Sequence, residues 1–183
     1  MRRNEGGEHP IRMYFAQALH QSLHERLGLR EIDDVELYLA DLLCSFLHND
    51  RIFAIKDADG RPLEAVADMV AEGDVRLNAD SFEREREVHK HIGDFLLFWT
   101  GLFPEFLDRV KAPGSKDSFI DVVRQGQFSY HIVSTFEHNP YGEEAPTFRK
   151  LSTDFEAYRI GLGLVRSSFD GFARQGWRGG LDA

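Results

Sequence analysis

Three ionisable residues at helical spacing form the first candidate for chemistry in this 183-residue chain. Glu87, His91 and Asp94 lie three or four residues apart, so on an α-helix their side chains would occupy adjacent rows of one surface. The aromatic-rich run that continues to Phe106 places His91 inside an apolar arc of the same helix. The sequence therefore predicts a cluster of two carboxylates and an imidazole at the edge of a helical core.

Two roles are open for this trio. In the structural alternative, hydrogen bonds and ion pairs from the carboxylates simply hold a buried imidazole in place. In the functional alternative, the carboxylates fix the tautomer of His91 and raise its basicity, as metal-bound and acid–base histidines require. His89 would not share an ion with His91, because side chains two residues apart diverge by about 160–200° on a helix.

His20 and His24 are a second candidate, since histidines four residues apart can present two imidazoles to one metal ion. The His-Glu-x-x-His order of zinc proteases is absent, and surface or core-edge histidines are the alternative interpretation. Glu137, near the end of a predicted helix, could add a carboxylate to a polar pocket, or it could simply be solvated. The candidate ligands for a divalent metal are thus Glu87, His91, Asp94, His20, His24 and Glu137.

Other sequence patterns of catalysis or cofactor binding are missing. The Glu-x-x-His motif of ferritin-like di-iron bundles does not occur. Ser129, His131 and Ser134 lack the glycine-flanked turn of a hydrolase nucleophile. Gly161 and Gly163 lack the third glycine and the preceding strand of a dinucleotide fingerprint, and there is no P-loop.

Composition limits the possible partners and the compartment. With 22 Lys and Arg against 31 Asp and Glu, the net charge of −9 opposes general attraction to nucleic acid or anionic lipid. The longest apolar stretch, Phe95 to Leu107, is about 13 residues long and falls short of the roughly 20 that span a bilayer. Cys44 is the only cysteine, and acidic residues follow Arg2 and Arg3 where a secretory signal needs an apolar run. These features predict a cytoplasmic protein that binds neither nucleic acid nor membranes.

Hydrophobic periodicity predicts an all-α fold, a single-domain bundle of about six helices. The predicted helices run from Ile11 to Leu27, Asp33 to Asn49, Leu63 to Val70, Ser81 to Thr100, Asp117 to Glu137, and onward from Leu151. The expected N-caps include Asp33 or Asp34, Asp80 or Ser81, and Asp117 or Ser118. At most a minor β-ribbon is expected near residues 51–60, where β-branched and aromatic residues alternate before a turn. Residues 1–10 and 173–183 are predicted to be flexible tails around one domain over residues 11–172.

The last predicted helix has the clearest repeat in the chain. Its apolar residues are spaced alternately four and three apart, a heptad-like seam over residues 151–172 made of Leu151, Phe155, Tyr158, Leu162, Val165, Phe169 and Phe172. One interpretation is the central helix of a bundle, and the other is a helix that pairs across the axis of a homodimer. Both interpretations stay open at the level of sequence.

Three segments of the chain carry a resemblance to other proteins. The run from Arg86 to Glu105, together with Tyr38–Leu43 and Leu151–Glu156, is similar to segments of an uncharacterised family of bacterial hypothetical proteins. The resemblance spans most of the chain and carries no known activity, so it implies no roles for individual residues. It favours a bacterial cytoplasmic origin.

The sequence favours a non-catalytic helical module that binds a small ligand or a protein, since an aromatic-rich core with a few inward polar groups is typical of an apolar ligand pocket. The alternative function is a metal-dependent or acid–base enzyme with its carboxylate–histidine site at the edge of the bundle core. The expected partners are therefore a second copy of the chain through the 151–172 seam, a small apolar ligand, or a divalent metal.

Overall fold

The computed structural model describes residues 10–74, 77 and 79–178 and confirms an all-α helical bundle. Its helices are α1 (Pro10–His20), a π-helical turn (Gln21–Arg26), α2 (Asp33–Ser45), α3 (Asn49–Ile52), α4 (Val66–Gly73), α5 (Phe82–Leu102), α6 (Phe106–Val110), α7 (Val122–Ser134), α8 (Ala145–Thr153) and α9 (Phe155–Arg178). Within these described ranges, the only β-type pairing is one antiparallel bridge between Lys56 and Pro62. In the same part of the chain, no helix has the length and apolarity needed to cross a membrane.

Helix α5 lies at the centre of the bundle and packs against α4, α7 and α9. It begins as predicted at Ser81, whose Oγ accepts a hydrogen bond from the backbone N–H of Arg84. Side chains on all sides of α5 are buried, and Ile92, Leu96 and Leu97 are fully inaccessible to solvent. From Val88 to Phe98 most side chains are buried whichever way they face, so this part of α5 is an interior helix, whereas its first turns, with Phe82 and Glu87, are exposed. His89 and His91 are therefore both buried, although they project to different sides of α5.

The heptad-like seam packs inside the chain's own core. Its first five members, Leu151, Phe155, Tyr158, Leu162 and Val165, are all 0% exposed. The seam is divided between two helices, because α8 ends at Thr153 and α9 begins at Phe155. These five side chains are not available to a second copy of the chain, so the central-helix interpretation applies to them. A homodimer stays a prediction, and the side chains of Phe169 and Phe172 lie outside the described part of the structure.

The two predicted tails fall mainly outside the described residues. Residues 1–9 and 179–183 are not described. The backbone of α9 continues to Arg178, so residues 173–178 are helical where the glycine-rich sequence predicted a frayed tail.

Two of the predicted helix caps are wrong, because other residues occupy the N-cap positions of α2 and α7. Asp117 accepts hydrogen bonds at 3.0 and 2.9 Å from the backbone N–H groups of Val66 and Ala67, and so caps α4 across the fold. The N-cap of α7 is instead Asp121, which accepts from the N–H of Arg124. At α2 the N-cap position is Ile32, which forms no side-chain capping bond, so Asp33 is not used as a cap.

The strand-like segment at residues 51–56 is a short helix followed by an extended connection. Helix α3 takes up its first residues, and the chain then turns at Asp57, whose Oδ1 accepts from the backbone N–H groups of Asp59 and Arg61. Ile55 is only 2% exposed and packs into the core. Ile55 therefore anchors this connection to the bundle core, and the β-type pairing here is limited to the bridge between Lys56 and Pro62.

Close helix crossings depend on positions that lack a Cβ atom. A Cβ built at Gly126 of α7 would lie 2.4 Å from Cζ of Phe155, whose ring is fully buried. A Cβ at Gly161 of α9 would lie 2.3 Å from Cδ2 of Leu23 in the π-helical turn. Neither contact is compatible with a normal van der Waals distance, so an added Cβ would force the Phe155 ring or the Leu23 side chain to shift.

We expect Gly126→Ala to destabilise the fold and Gly163→Ala to leave it unchanged or slightly more stable. At Gly126 the overpacked Phe155 ring costs about 1–3 kcal/mol, which exceeds the helix-propensity gain of roughly 1 kcal/mol. At Gly163 the nearest atom to a new Cβ is a backbone oxygen at 3.4 Å, an ordinary contact. Urea unfolding of the two variants measures the difference, and equal midpoints would contradict the close crossing.

Candidate metal-binding site

Two of the predicted metal ligands come together with a third residue that the sequence did not identify. His20 ends α1, His24 lies in the π-helical turn, and Glu36 lies in the first turn of α2. Nδ1 of His20 is 3.2 Å from Oε2 of Glu36, and Nε2 of His24 is 3.0 Å from the same oxygen. Taking one ligand atom from each residue, all three atoms lie within 4.8 Å of one another.

His20 and Glu36 form a hydrogen bond at 3.2 Å, and the same separations also agree with coordination of a single small cation. Zinc binds imidazole nitrogen and carboxylate oxygen at about 2.0–2.2 Å, so two ligands of a tetrahedral ion lie roughly 3.3 Å apart. The two nitrogen–oxygen distances, 3.2 and 3.0 Å, are close to that value. Among the described residues, no other group of three His, Cys, Asp or Glu side chains converges in this way.

His24 has the environment of a ligand rather than that of a hydrogen-bonded core histidine. Its side chain is only 11% exposed, and the buried Nε2 forms no hydrogen bond even though Glu36 is 3.0 Å away. The two groups are close but not aligned for a hydrogen bond, so Nε2 of His24 has no partner. A buried polar atom without a partner lowers the stability of a folded protein. His20, by contrast, is 54% exposed and opens the site to solvent.

The π-helical turn positions His24 for this arrangement. Leu23 is fully buried against α9, where Gly161 provides the space for its side chain. Gly28, with φ of 70°, then reverses the backbone after the turn, as a helix C-terminus commonly requires. Short π-helical segments are rare and are frequently found at functional sites. The π-helical turn that carries His24 is therefore held in place by the packing of Leu23 against Gly161.

The predicted ligand Glu137 lies elsewhere and binds a different partner. It follows the end of α7, is 59% exposed and forms an ion pair with Arg149 of α8. Because α7 ends at Ser134, the Glu137 carboxylate lies at the surface, on the wall of a separate pocket and not with the other predicted ligands.

The trio on α5 does not form one hydrogen-bonded cluster. Glu87 is 67% exposed and pairs with Arg84 at 3.2 Å. His91 is buried as predicted, with 8% exposure, but it has no hydrogen bond to either carboxylate, and its Nε2 lacks any partner. Burial lowers the pKa of His91, while the nearby Asp94 carboxylate and a hydrogen bond with the backbone of Ile52 oppose that shift.

Asp94 instead accepts hydrogen bonds from three other side chains inside the bundle. Its Oδ1 accepts from the hydroxyls of Tyr38 at 2.5 Å and Tyr130 at 2.8 Å, and its Oδ2 lies 3.2 Å from Nζ of Lys90. Burial, together with the Asp94 charge, raises the pKa of both tyrosines well above the usual value. The tyrosines therefore remain neutral donors, and the carboxylate joins α2, α5 and α7 as a structural element.

A small cleft nevertheless opens beside the α5 trio. It has a volume of about 180 Å³, and Glu87, His91 and Asp94 all contribute to its wall. The opposite wall comes from the end of α2 and the connection that follows it, including Ser45, Phe46 and Arg51. The three predicted residues thus share a surface feature without contacting one another through hydrogen bonds.

Comparison with known proteins adds no functional assignment. No protein-family model, curated protein or solved structure matches this chain. The chemistry of the candidate site is therefore argued from its own geometry.

His89, the other buried histidine of α5, has a structural role. It is 4% exposed, its Nδ1 lies 3.2 Å from Oγ of Ser129, and its ring packs edge-on against Phe128. Burial lowers its pKa to about 4, against a weaker opposing effect from Asp74. The folded protein therefore keeps this imidazole neutral over a range where an unfolded chain would protonate it.

His89 should make the fold sensitive to acid between pH 6.5 and pH 4. As the pH falls through about 6.5, the unfolded chain gains a proton that the folded chain does not bind until pH 4, so up to about 3 kcal/mol of stability is lost. Urea unfolding at pH 7.5 and pH 4.5 should show a smaller loss for His89→Gln than for wild type. The exposed His131→Gln is the control, and equal acid sensitivity in all three proteins would contradict this role.

Proposed function

We propose that this protein binds a divalent first-row transition-metal ion, such as Zn²⁺, through His20, His24 and Glu36. The observation that supports the proposal most directly is the convergence of three ligand atoms within 4.8 Å, one of them the buried and unpartnered Nε2 of His24. Two imidazoles and a carboxylate are a typical donor set for zinc and related divalent metals. A bound ion would satisfy His24 Nε2.

The proposed ion would link two parts of the fold that are separate in sequence. His20 and His24 belong to the first helical segment, whereas Glu36 belongs to α2, and the two segments pack against each other. Three protein ligands leave a fourth position for water or another ligand, and the exposed side of His20 provides access to it. Metal binding would therefore stabilise the α1–α2 pair and create a solvent-facing metal centre.

A direct measurement of metal binding tests this proposal. Isothermal titration of the purified, chelator-treated protein with Zn²⁺ should show one site, and His24→Ala or Glu36→Ala should abolish it. At a free Zn²⁺ concentration of 100 times Kd, linkage predicts about 2.7 kcal/mol of added stability in urea unfolding. The affinity should fall as the pH is lowered, because ligand histidines must be deprotonated.

His131→Ala is the matched control, since His131 is an exposed histidine on α7 that lies outside the proposed site. It should bind Zn²⁺ with the wild-type affinity. Stoichiometric binding that survives both His24→Ala and Glu36→Ala would place the ion elsewhere and contradict the proposal.

We propose, as a second candidate function, that the cleft beside His91 binds a small zwitterion such as a free α-amino acid. Its wall carries two carboxylates, Glu87 and Asp94, and two cations, Arg51 and Lys90. Arg51 is exposed and lines the cleft, so its guanidinium can reach a ligand carboxylate. The volume, about 180 Å³, suits a small molecule only.

Titration with the twenty free amino acids, followed by backbone NMR, tests the cleft. At least one should cause saturable shifts confined to residues 45–55 and 87–94, and Arg51→Gln should weaken binding by removing the cation for the ligand carboxylate. Arg124→Gln, an exposed arginine on α7, is the control and should leave the affinity unchanged. If none of the twenty produces saturable shifts, the cleft is not an amino-acid site.

A further inference from the structure

Asp33 lies next to the proposed metal site and does not cap the helix that it begins. It is the first residue of α2, yet the helix N-cap is Ile32, and no side-chain capping bond is formed. The Asp33 side chain is 94% exposed, and its one recorded close partner is His24, whose Nε2 lies 3.9 Å from Oδ1. A carboxylate at the beginning of this helix therefore remains available for another role.

The helix places Asp33 and Glu36 on the same side. Residues three apart on an α-helix are neighbours on its surface, so both carboxylates face the π-helical turn that carries His24. The separation of 3.9 Å between Asp33 and His24 is about 0.6 Å longer than the roughly 3.3 Å expected between two ligands of a tetrahedral zinc ion. Asp33 lies outside the group of three ligand atoms that are within 4.8 Å of one another, so a side-chain rotation of this exposed aspartate must bring its carboxylate onto the ion.

Charge supports the same arrangement. A divalent cation bound by two neutral imidazoles and the Glu36 carboxylate would keep one net positive charge, next to side chains that are only 11% and 15% exposed. A second carboxylate would neutralise the centre, and the attraction between opposite charges this close favours Asp33 as the group that does so.

We infer that Asp33 is the fourth ligand, so that the ion is held by two histidines and two carboxylates in a closed site. This inference rests on the proposed function and deepens it, because a closed site has no position for a reacting water. Four-coordinate zinc sites without an exchangeable ligand are structural, whereas catalytic ones keep an open position. The metal would then serve to join the π-helical turn to α2 rather than to activate a substrate.

Co²⁺ titration of the full chain, with azide as an external ligand, tests this. Asp33→Ala should bind Co²⁺ at least about 10-fold to 100-fold more weakly than wild type, the range reported for the loss of a supporting group around a metal. Azide should change the visible spectrum of the Co²⁺-loaded Asp33→Ala protein, because the freed position accepts it. The wild-type spectrum should not respond.

Glu25→Ala is the matched control. Glu25 is an exposed acid adjacent to His24 in sequence, so its removal changes the local charge by the same amount without removing a proposed ligand. Its Co²⁺ affinity should stay within about threefold of wild type, well inside the loss expected for a ligand. An equal loss in the two variants would indicate a general charge effect and overturn the inference.

The outcomes distinguish failure of the inference from failure of the proposed function. Unchanged affinity in Asp33→Ala, or an azide response in wild type, would overturn the closed site while leaving the three-ligand site intact. Co²⁺ binding that persists in His24→Ala and Glu36→Ala would overturn both. Loss of binding in those two variants, together with the Asp33→Ala and azide results expected above, supports both.

Discussion

Burial of α5 from Val88 to Phe98 is the constraint on which the rest of the structure depends. Along this part of the helix almost no side faces solvent, so each buried polar group must find a partner within the protein or remain unsatisfied. Asp94 finds three partners, two tyrosine hydroxyls and the ammonium of Lys90. His89 finds the hydroxyl of Ser129. His91 keeps an unpartnered Nε2 at the wall of a cleft.

The bundle contains two kinds of polar site, one in the core around α5 and one at the edge of the α1–α2 pair. The polar groups of α5 mainly hold helices together, since Asp94 connects helices that are distant in sequence and its tyrosine partners stay neutral. The His20, His24 and Glu36 site lies at the edge instead, where one histidine is 54% exposed. An ion needs such an approach path, so the edge of the α1–α2 pair suits metal binding better than the bundle centre does.

Packing within the core also determines the shape of that edge site. Leu23 enters the core beside Gly161, and the neighbouring His24 is held by a turn of π-helix rather than α-helix. The local geometry therefore depends on a glycine more than a hundred residues away in sequence. The contact at Gly161 therefore affects the candidate site as well as stability, because it leaves room for Leu23 beside His24.

The sequence by itself determined the helical class, a cap for α5 at Asp80 or Ser81 and the burial of His91, because hydrophobic period and local capping chemistry are encoded within one segment. It also identified His20 and His24 as possible ligands from their spacing of four. Only the tertiary structure decided that Glu36 joins them, that Glu137 does not, that Asp117 caps α4, and that Asp94 binds tyrosines. The physical reason is that those contacts join segments far apart in the chain, and periodicity within one helix carries no information about which face of another helix it will meet.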